Sequence, residues 1–138
     1  MKEANDLLKE IQSLTETGRF AIGNDLVFVP DFELSFTPEF KAKAYTIEEL
    51  DYCDKFDEPL IRYASTWAAK EAVYKAFKQL NPETSLGPRR IEISRQKTAG
   101  IPTVTIRDES RPFNISLTIS HDGDYVWAIA IIEKGETA

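Results

Sequence analysis

The sequence predicts an α+β domain, a mostly antiparallel sheet with one long helix packed on one of its faces. Three observations point there. From Pro59 to about Leu80 apolar residues recur at three-and-four spacing, which puts them on one face of a helix. Five stretches, 19–29, 90–95, 103–107, 114–120 and 125–133, are rich in β-formers or alternate in polarity. Turn signals at Ala99-Gly100 and across His121-Asp122-Gly123-Asp124 join the last four stretches into two hairpins.

The elements follow in order. Residues 3–16 read as an amphipathic helix with Leu7, Leu8, Ile11 and Leu14 on one face and Gly18 as its stop. Residues 1–18 are therefore expected as an N-terminal extension and 19–138 as a single domain, which suits a chain of 138 residues. The first strand ends at Pro30. Within it Gly23 suggests a bulge or the close approach of another backbone. Thr46-Ile47-Glu48-Glu49 is a capping box that opens a helix through about Phe56. Pro59, suited to a first turn, opens the long helix, and Asn81-Pro82 and Leu86-Gly87-Pro88 mark a loop after it.

Composition narrows the function classes. A net charge of −6 with no dominant basic surface argues against nucleic-acid binding. No apolar run approaches the ~18 residues that span a bilayer, and the N-terminus has neither a secretory nor an organelle-targeting pattern. The single cysteine, Cys53, rules out an internal disulfide, fits a reducing cytoplasm and, in an acidic stretch, reads as structural. Basic residues gather in the middle third, among them Lys41, Lys43, Arg62, Lys70, Lys75, Arg89 and Arg90.

Three places along the chain stand out. Glu71 and Lys75 fall in the same stripe as Leu60, Ala64, Trp67, Ala68 and Ala72, where an unpaired ion costs several kcal/mol. A plain Glu-to-Lys pair on a solvated face is the alternative, worth a few tenths of a kcal/mol; Trp67 and Leu60 favour the buried reading. Asp25 is an acid in an apolar strand, or else the end of a turn at Gly23-Asn24. His121 stands at the end of the fourth strand, where it either serves a site or caps the next turn. A strand acid and a helix acid can share a hard cation such as Mg²⁺, and a lysine beside them can meet a phosphate oxygen.

The order of the pieces is informative. Gly23-Asn24-Asp25, then Trp67-Ala68-Ala69-Lys70-Glu71-Ala72-Val73-Tyr74-Lys75, then Gly100-Ile101-Pro102, then Ser116 to Asp122 resembles the 4′-phosphopantetheinyl transferase superfamily. The likeness runs from about Ile22 to Ile132 and is greatest to the short holo-acyl-carrier-protein-synthase type and to the transferase domain of fungal fatty acid synthases. The stretch from Tyr45 to Cys53 also resembles the acidic helix preceding the motif in the fungal domains.

The resemblance implies a 4′-phosphopantetheinyl transferase-like fold and an enzyme. It would move the 4′-phosphopantetheine arm of coenzyme A to a serine of an acyl or peptidyl carrier protein, releasing adenosine 3′,5′-bisphosphate. By motif, Asp25 and Glu71 would hold Mg²⁺, and Glu71, Lys75 and His121 would be catalytic. Arg62, Lys70, Lys75, Ser120 and His121 would bind the coenzyme. Glu71 is the first choice of base for the serine and His121 the second. A cytoplasmic homotrimer, with its site at the subunit boundary, is the implied assembly. Val27 is apolar, as in the short members, where the two-lobed ones commonly carry a further acid.

Departures are specific. Thr66 stands where related sequences usually have Arg, and Arg62, one turn earlier, is expected to reach a similar place. Lys78 to Pro82 replaces a Gly-rich segment, and Asp31 and Glu33 lie where basic residues would greet an acidic carrier. Lys41, Lys43, Arg89 and Arg90 are the alternative docking residues. Two other functions are consistent with the residues: a coenzyme A-binding or synthase-associated module without catalysis, and a Mg²⁺-dependent phosphoesterase.

Overall fold

In a computed structural model the described residues are 3–9, 19–95, 100–109 and 113–134. Residues 3–9 form helix α1, exposed throughout; Ile11, Leu14 and Gly18 of the expected longer helix lie outside the described residues. The remaining elements are β1 (Phe20–Phe28), α2 (Val29–Ser35), α3 (Pro38–Ala44), α4 (Ile47–Asp54), α5 (Pro59–Leu80), β2 (Ile91–Arg95), β3 (Pro102–Ile106), β4 (Asn114–Asp122) and β5 (Tyr125–Glu133). A 3-10 turn, Pro88–Arg90, leads into β2. The strands form two antiparallel sheets, one ordered β1-β5-β4 and a smaller one of β2 and β3.

Strand alternation sets one face of the larger sheet against α5. Ala21, Gly23, Asp25 and Val27 of β1 share that face with Ile132, Ala130, Ala128 and Val126 of β5, their register partners. The helix answers with Ala64, Ala68, Ala72 and Ala76, small residues at four-residue spacing and fully buried. Small side chains on both surfaces let strand and helix close on each other. The contact is tightest at Gly23, where an added Cβ would lie 1.9 Å from the carbonyl oxygen of Ala72 and 2.6 Å from the nitrogen of Ala76. The expected alternatives are thereby resolved: β1 pairs with β5 without interruption from Phe20 to Phe28, so Gly23 marks a close backbone approach and no bulge.

The other side of α5 packs on α4 and β2, and the centre of that contact is ionic. Lys70 and Glu49 are each 1% exposed, with Nζ 2.6 Å from Oε1. Lys70 Nζ also donates to the carbonyls of Pro88 at 2.7 Å and Ile91 at 2.6 Å. Glu49 completes the expected capping box by accepting from the Thr46 N–H, and its other oxygen accepts from the N–H of Ile93. Each group therefore has the partners that an ion buried from water requires. Burial pushes the Lys70 pKa down and Glu49 pulls it back; three acceptors around Nζ hold it as an ammonium. Cys53 is fully buried and its thiol is pushed up to about 11 by desolvation, in keeping with a structural role.

Two features depart from the sequence expectation. Helices α2 and α3 occupy a stretch for which no element was expected. Pro30 ends β1 but also sits in the first turn of α2, and Thr37 caps α3 by accepting from the N–H of Phe40. The expected break at His121-Asp122-Gly123-Asp124 is shorter: β4 runs through Asp122, and Gly123, with φ +57°, makes the turn. The Val29 N–H donates to the Asp124 carbonyl and ties α2 to that turn. Among the described residues no helix is long and apolar enough to cross a membrane.

Gly23→Ala should lower the free energy of urea unfolding by about 2–3 kcal/mol, because its methyl meets backbone that has no room to yield. Gly87→Ala, where nothing lies within 4 Å of the added atom, should leave stability within about 0.5 kcal/mol of wild type.

Candidate active site

Because Asp25 is two residues beyond Gly23 on β1, it shares the helix-facing side of the strand. Lys75, one turn beyond Glu71 on α5, reaches it: Nζ lies 2.8 Å from Asp25 Oδ1 and donates to the Asn24 carbonyl at 3.1 Å. The Asp25 side chain is 16% exposed and that of Lys75 51%, so the ion pair sits at the edge of the core with the ammonium in water. Glu71 is half-buried, and among the described residues it forms neither a hydrogen bond nor an ion pair. Burial raises its pKa first and the Asp25 charge raises it further, while Lys75 offsets part of this. The charge of the strand acid therefore reaches the helix acid.

The stripe read from the sequence needs correcting. Glu71 and Lys75 lie at one edge of the buried arc and are partly exposed, whereas the fully buried charge of the helix is Lys70. Lys70 also leaves the expected coenzyme-binding set. Its three donors are spent on Glu49, Pro88 and Ile91, which leaves none for a phosphate.

The other expected residues divide between two places. Arg62 and His121 both line a groove of about 900 Å³ formed between the start of α5, α2 and the β4–β5 turn. The Arg62 guanidinium stacks on Phe56, 4.0 Å from the ring centre. Glu71 borders a separate cleft of about 290 Å³ with Tyr74, Ser85, Leu86 and Pro88. Within one chain His121 and Glu71 therefore line different clefts. Ser120 pairs with Trp127 on the opposite face of the sheet from His121 and its partner Val126, so these neighbours do not serve one groove of the same chain.

Sequence reasoning overlooked Arg95. The Thr66 hydroxyl accepts from Arg95 Nη2 at 2.9 Å, and Ser65 Oγ accepts from the same nitrogen at 3.0 Å. The guanidinium that meets Thr66 thus comes from β2, while Arg62 turns to Phe56. The available signal was the alternation Ile91, Ile93, Arg95, which places a cation on the inward side of a strand.

Among the described residues no group of three or more metal-ligating side chains occurs. Asp25 and Glu71 nevertheless fit a hard divalent ion: both offer oxygen, they repel one another, and Mg²⁺ needs only one or two carboxylates when water and phosphate complete its shell.

The chain is similar to known proteins over most of its length. A family model described as the 4′-phosphopantetheinyl transferase superfamily matches residues 21–130. A holo-[acyl-carrier-protein] synthase of Aquifex aeolicus is 34% identical over 121 residues, covering 82% of this chain and 98% of that protein. The fatty acid synthase subunit alpha of Candida parapsilosis is 28% identical over 137 residues, which is 94% of this chain but 7% of that subunit. This chain therefore spans only a small part of the fungal relatives. Among solved structures, the ACPS–CoA complex of Chronobacterium ammoniagenes aligns with a TM-score of 0.72 at 25% identity, covering 85% of this chain and 98% of that one. The Neisseria meningitidis holo-[acyl-carrier-protein] synthase gives 0.68 at 27% identity, covering 83% and 98%. The two likenesses read from the motifs are both present among these relatives, and with more than half its length matched the chain belongs to the 4′-phosphopantetheinyl transferase superfamily.

Proposed function

We propose that this chain transfers 4′-phosphopantetheine from coenzyme A to a serine of an acyl carrier protein in a Mg²⁺-dependent reaction. The observation that carries the reading is the Lys75–Asp25 ion pair across the β1–α5 contact, with Glu71 one turn back on α5 and within reach of the Asp25 charge. The relatives named holo-[acyl-carrier-protein] synthase and the solved coenzyme complex support the choice of donor and acceptor.

In this reaction the serine oxygen bonds to the pantetheine-side phosphorus, and the bridging P–O bond of the pyrophosphate breaks. Adenosine 3′,5′-bisphosphate leaves with that electron pair, and the serine proton passes to a base. Asp25 and Glu71 would hold Mg²⁺, which when bound neutralises and polarises pyrophosphate oxygens. Lys75 brings a mobile positive charge to the phosphoryl oxygens as charge spreads over them. Glu71, directly or through a water on the metal, is the base on this reading. His121 and Arg62 share a groove with Glu33, Asp54, Glu58 and Asp124, and on this reading they are the groups there that would meet anionic parts of the coenzyme.

A homotrimer is part of the proposal. The outer face of the larger sheet leaves Ile22, Leu26, Phe28, Tyr125, Trp127 and Ile131 exposed, an apolar surface of the kind that protein contacts cover. His121 and Glu71 line different clefts of one chain, and a neighbouring copy would join them into one site. The extent of the chain's match to fungal synthase subunits makes fatty acid synthesis the proposed pathway.

Incubating the chain with coenzyme A, Mg²⁺ and apo carrier proteins should add the mass of one phosphopantetheine arm to a carrier. Asp25→Ala and Glu71→Ala should each lower the rate by about a hundredfold or more. Coenzyme binding without mass gain on any carrier rejects transfer, and full activity in both variants rejects the carboxylate pair.

The raised Glu71 pKa has a stability consequence. The folded state holds the proton more tightly than the unfolded state. The stabilisation is complete at low pH and is lost as pH rises through the folded-state pKa. In chelator at neutral pH, Glu71→Gln should therefore melt above wild type, and the gap should close as pH falls below the ordinary carboxylate range.

A further inference from the structure

Lys75 is the residue whose position the transfer reaction does not by itself explain. A lysine kept only for a substrate phosphate has no need of a seat on the protein, yet Nζ rests between two acceptors of β1, Asp25 Oδ1 and the Asn24 carbonyl. Glu71, one turn back on the same helix, receives no such contact among the described residues. The cation has chosen the strand acid over the helix acid.

We infer that Lys75 is a resident stand-in for the metal on Asp25, and that metal entry releases it toward the substrate phosphate. This rests on the reading of Asp25 and Glu71 as the Mg²⁺ ligands. With the ammonium 2.8 Å from Asp25 Oδ1, a Mg²⁺ ion bound at about 2.1 Å to either oxygen of that carboxylate would stand close to it, and the two cations would repel. The divalent ion has twice the charge and a second ligand in Glu71, so it takes the seat. Lys75 is free to leave because its side chain is half exposed and its stem is long and flexible.

The consequence is coupled binding. While Lys75 holds Asp25, the seat is available to the metal only part of the time, and apparent metal affinity falls in proportion. Once displaced, the ammonium is one turn from Glu71 and unpaired, ready for an anionic substrate. By linkage, a phosphate that draws Lys75 away opens Asp25 to the metal by the same factor. The coenzyme-free chain thereby avoids an uncompensated pair of acids at the edge of its core, and metal and substrate favour each other's arrival.

The test is a Mg²⁺ titration of the coenzyme-free chain followed by calorimetry and by lysine side-chain carbon NMR, with the Lys75 signal identified by its loss in Lys75→Met. The signal should move to the position of a solvated lysine with the same midpoint as metal binding. Lys75→Met should bind Mg²⁺ roughly fivefold tighter, the size of a half-exposed ion pair. Lys78→Met removes a charge one turn farther along, where Nζ donates to the Pro82 carbonyl, and should tighten binding by roughly twofold or less. A Lys75 signal unmoved at saturating Mg²⁺, or equal tightening in both variants, overturns the inference while leaving the metal site standing. Absence of saturable binding, or binding unchanged in Asp25→Ala, overturns the metal reading and this inference with it.

Discussion

The site depends on β1 lying against the backbone of α5. The Gly23–Ala72–Ala76 contact leaves no space for a side chain, and the alanines of α5 and β5 continue that thin layer along the helix. Asp25 follows Gly23 by two residues and inherits the same face and the same closeness. A methyl group at position 23 would push strand from helix and carry Asp25 away from Glu71 and Lys75. Residues chosen for packing thus fix the distance over which the acids interact, and chemistry here is a consequence of small side chains.

Much of this was legible in the chain. The bounds of α5 follow from Pro59 and Asn81, and the G-x-D strand and the K-E-x-x-x-K helix motif announce the pieces of the site. What the sequence hid was how many neighbours α5 has. An amphipathic reading assumes one buried face, but β1 and β5 cover one side of this helix while α4 and β2 cover another. The buried arc is correspondingly wide and takes in Lys70, while Glu71 stays at its edge. Its partner Glu49 was visible only as a capping residue, since no local pattern tells that its second oxygen will meet Ile93 forty-four residues later. Arg95 was missed for the same reason: its partners Ser65 and Thr66 are neighbours only in space.

The adjacent residues Lys70 and Glu71 show two fates of charge on one helix. Lys70 is fully buried with every donor matched, and it ties α5 to α4, the 3-10 turn and β2. Glu71 is half-buried, has no side-chain partner among the described residues, is repelled by Asp25, and destabilises the fold in its ionised form. The first holds the helix in rotation; the second stands ready for a ligand that the rotation presents to it. A matched ion inside and an unmatched one at the rim is the arrangement expected where structure supports a binding site.

The account requires that both acids of one chain grip the same divalent ion. Crystals grown with Mn²⁺ and coenzyme A, measured at a wavelength where manganese scatters anomalously, test this directly. A single strong anomalous peak is expected within bonding distance of the carboxylates of both Asp25 and Glu71. A peak that touches only one of them, or lies elsewhere while the coenzyme is bound, would contradict it.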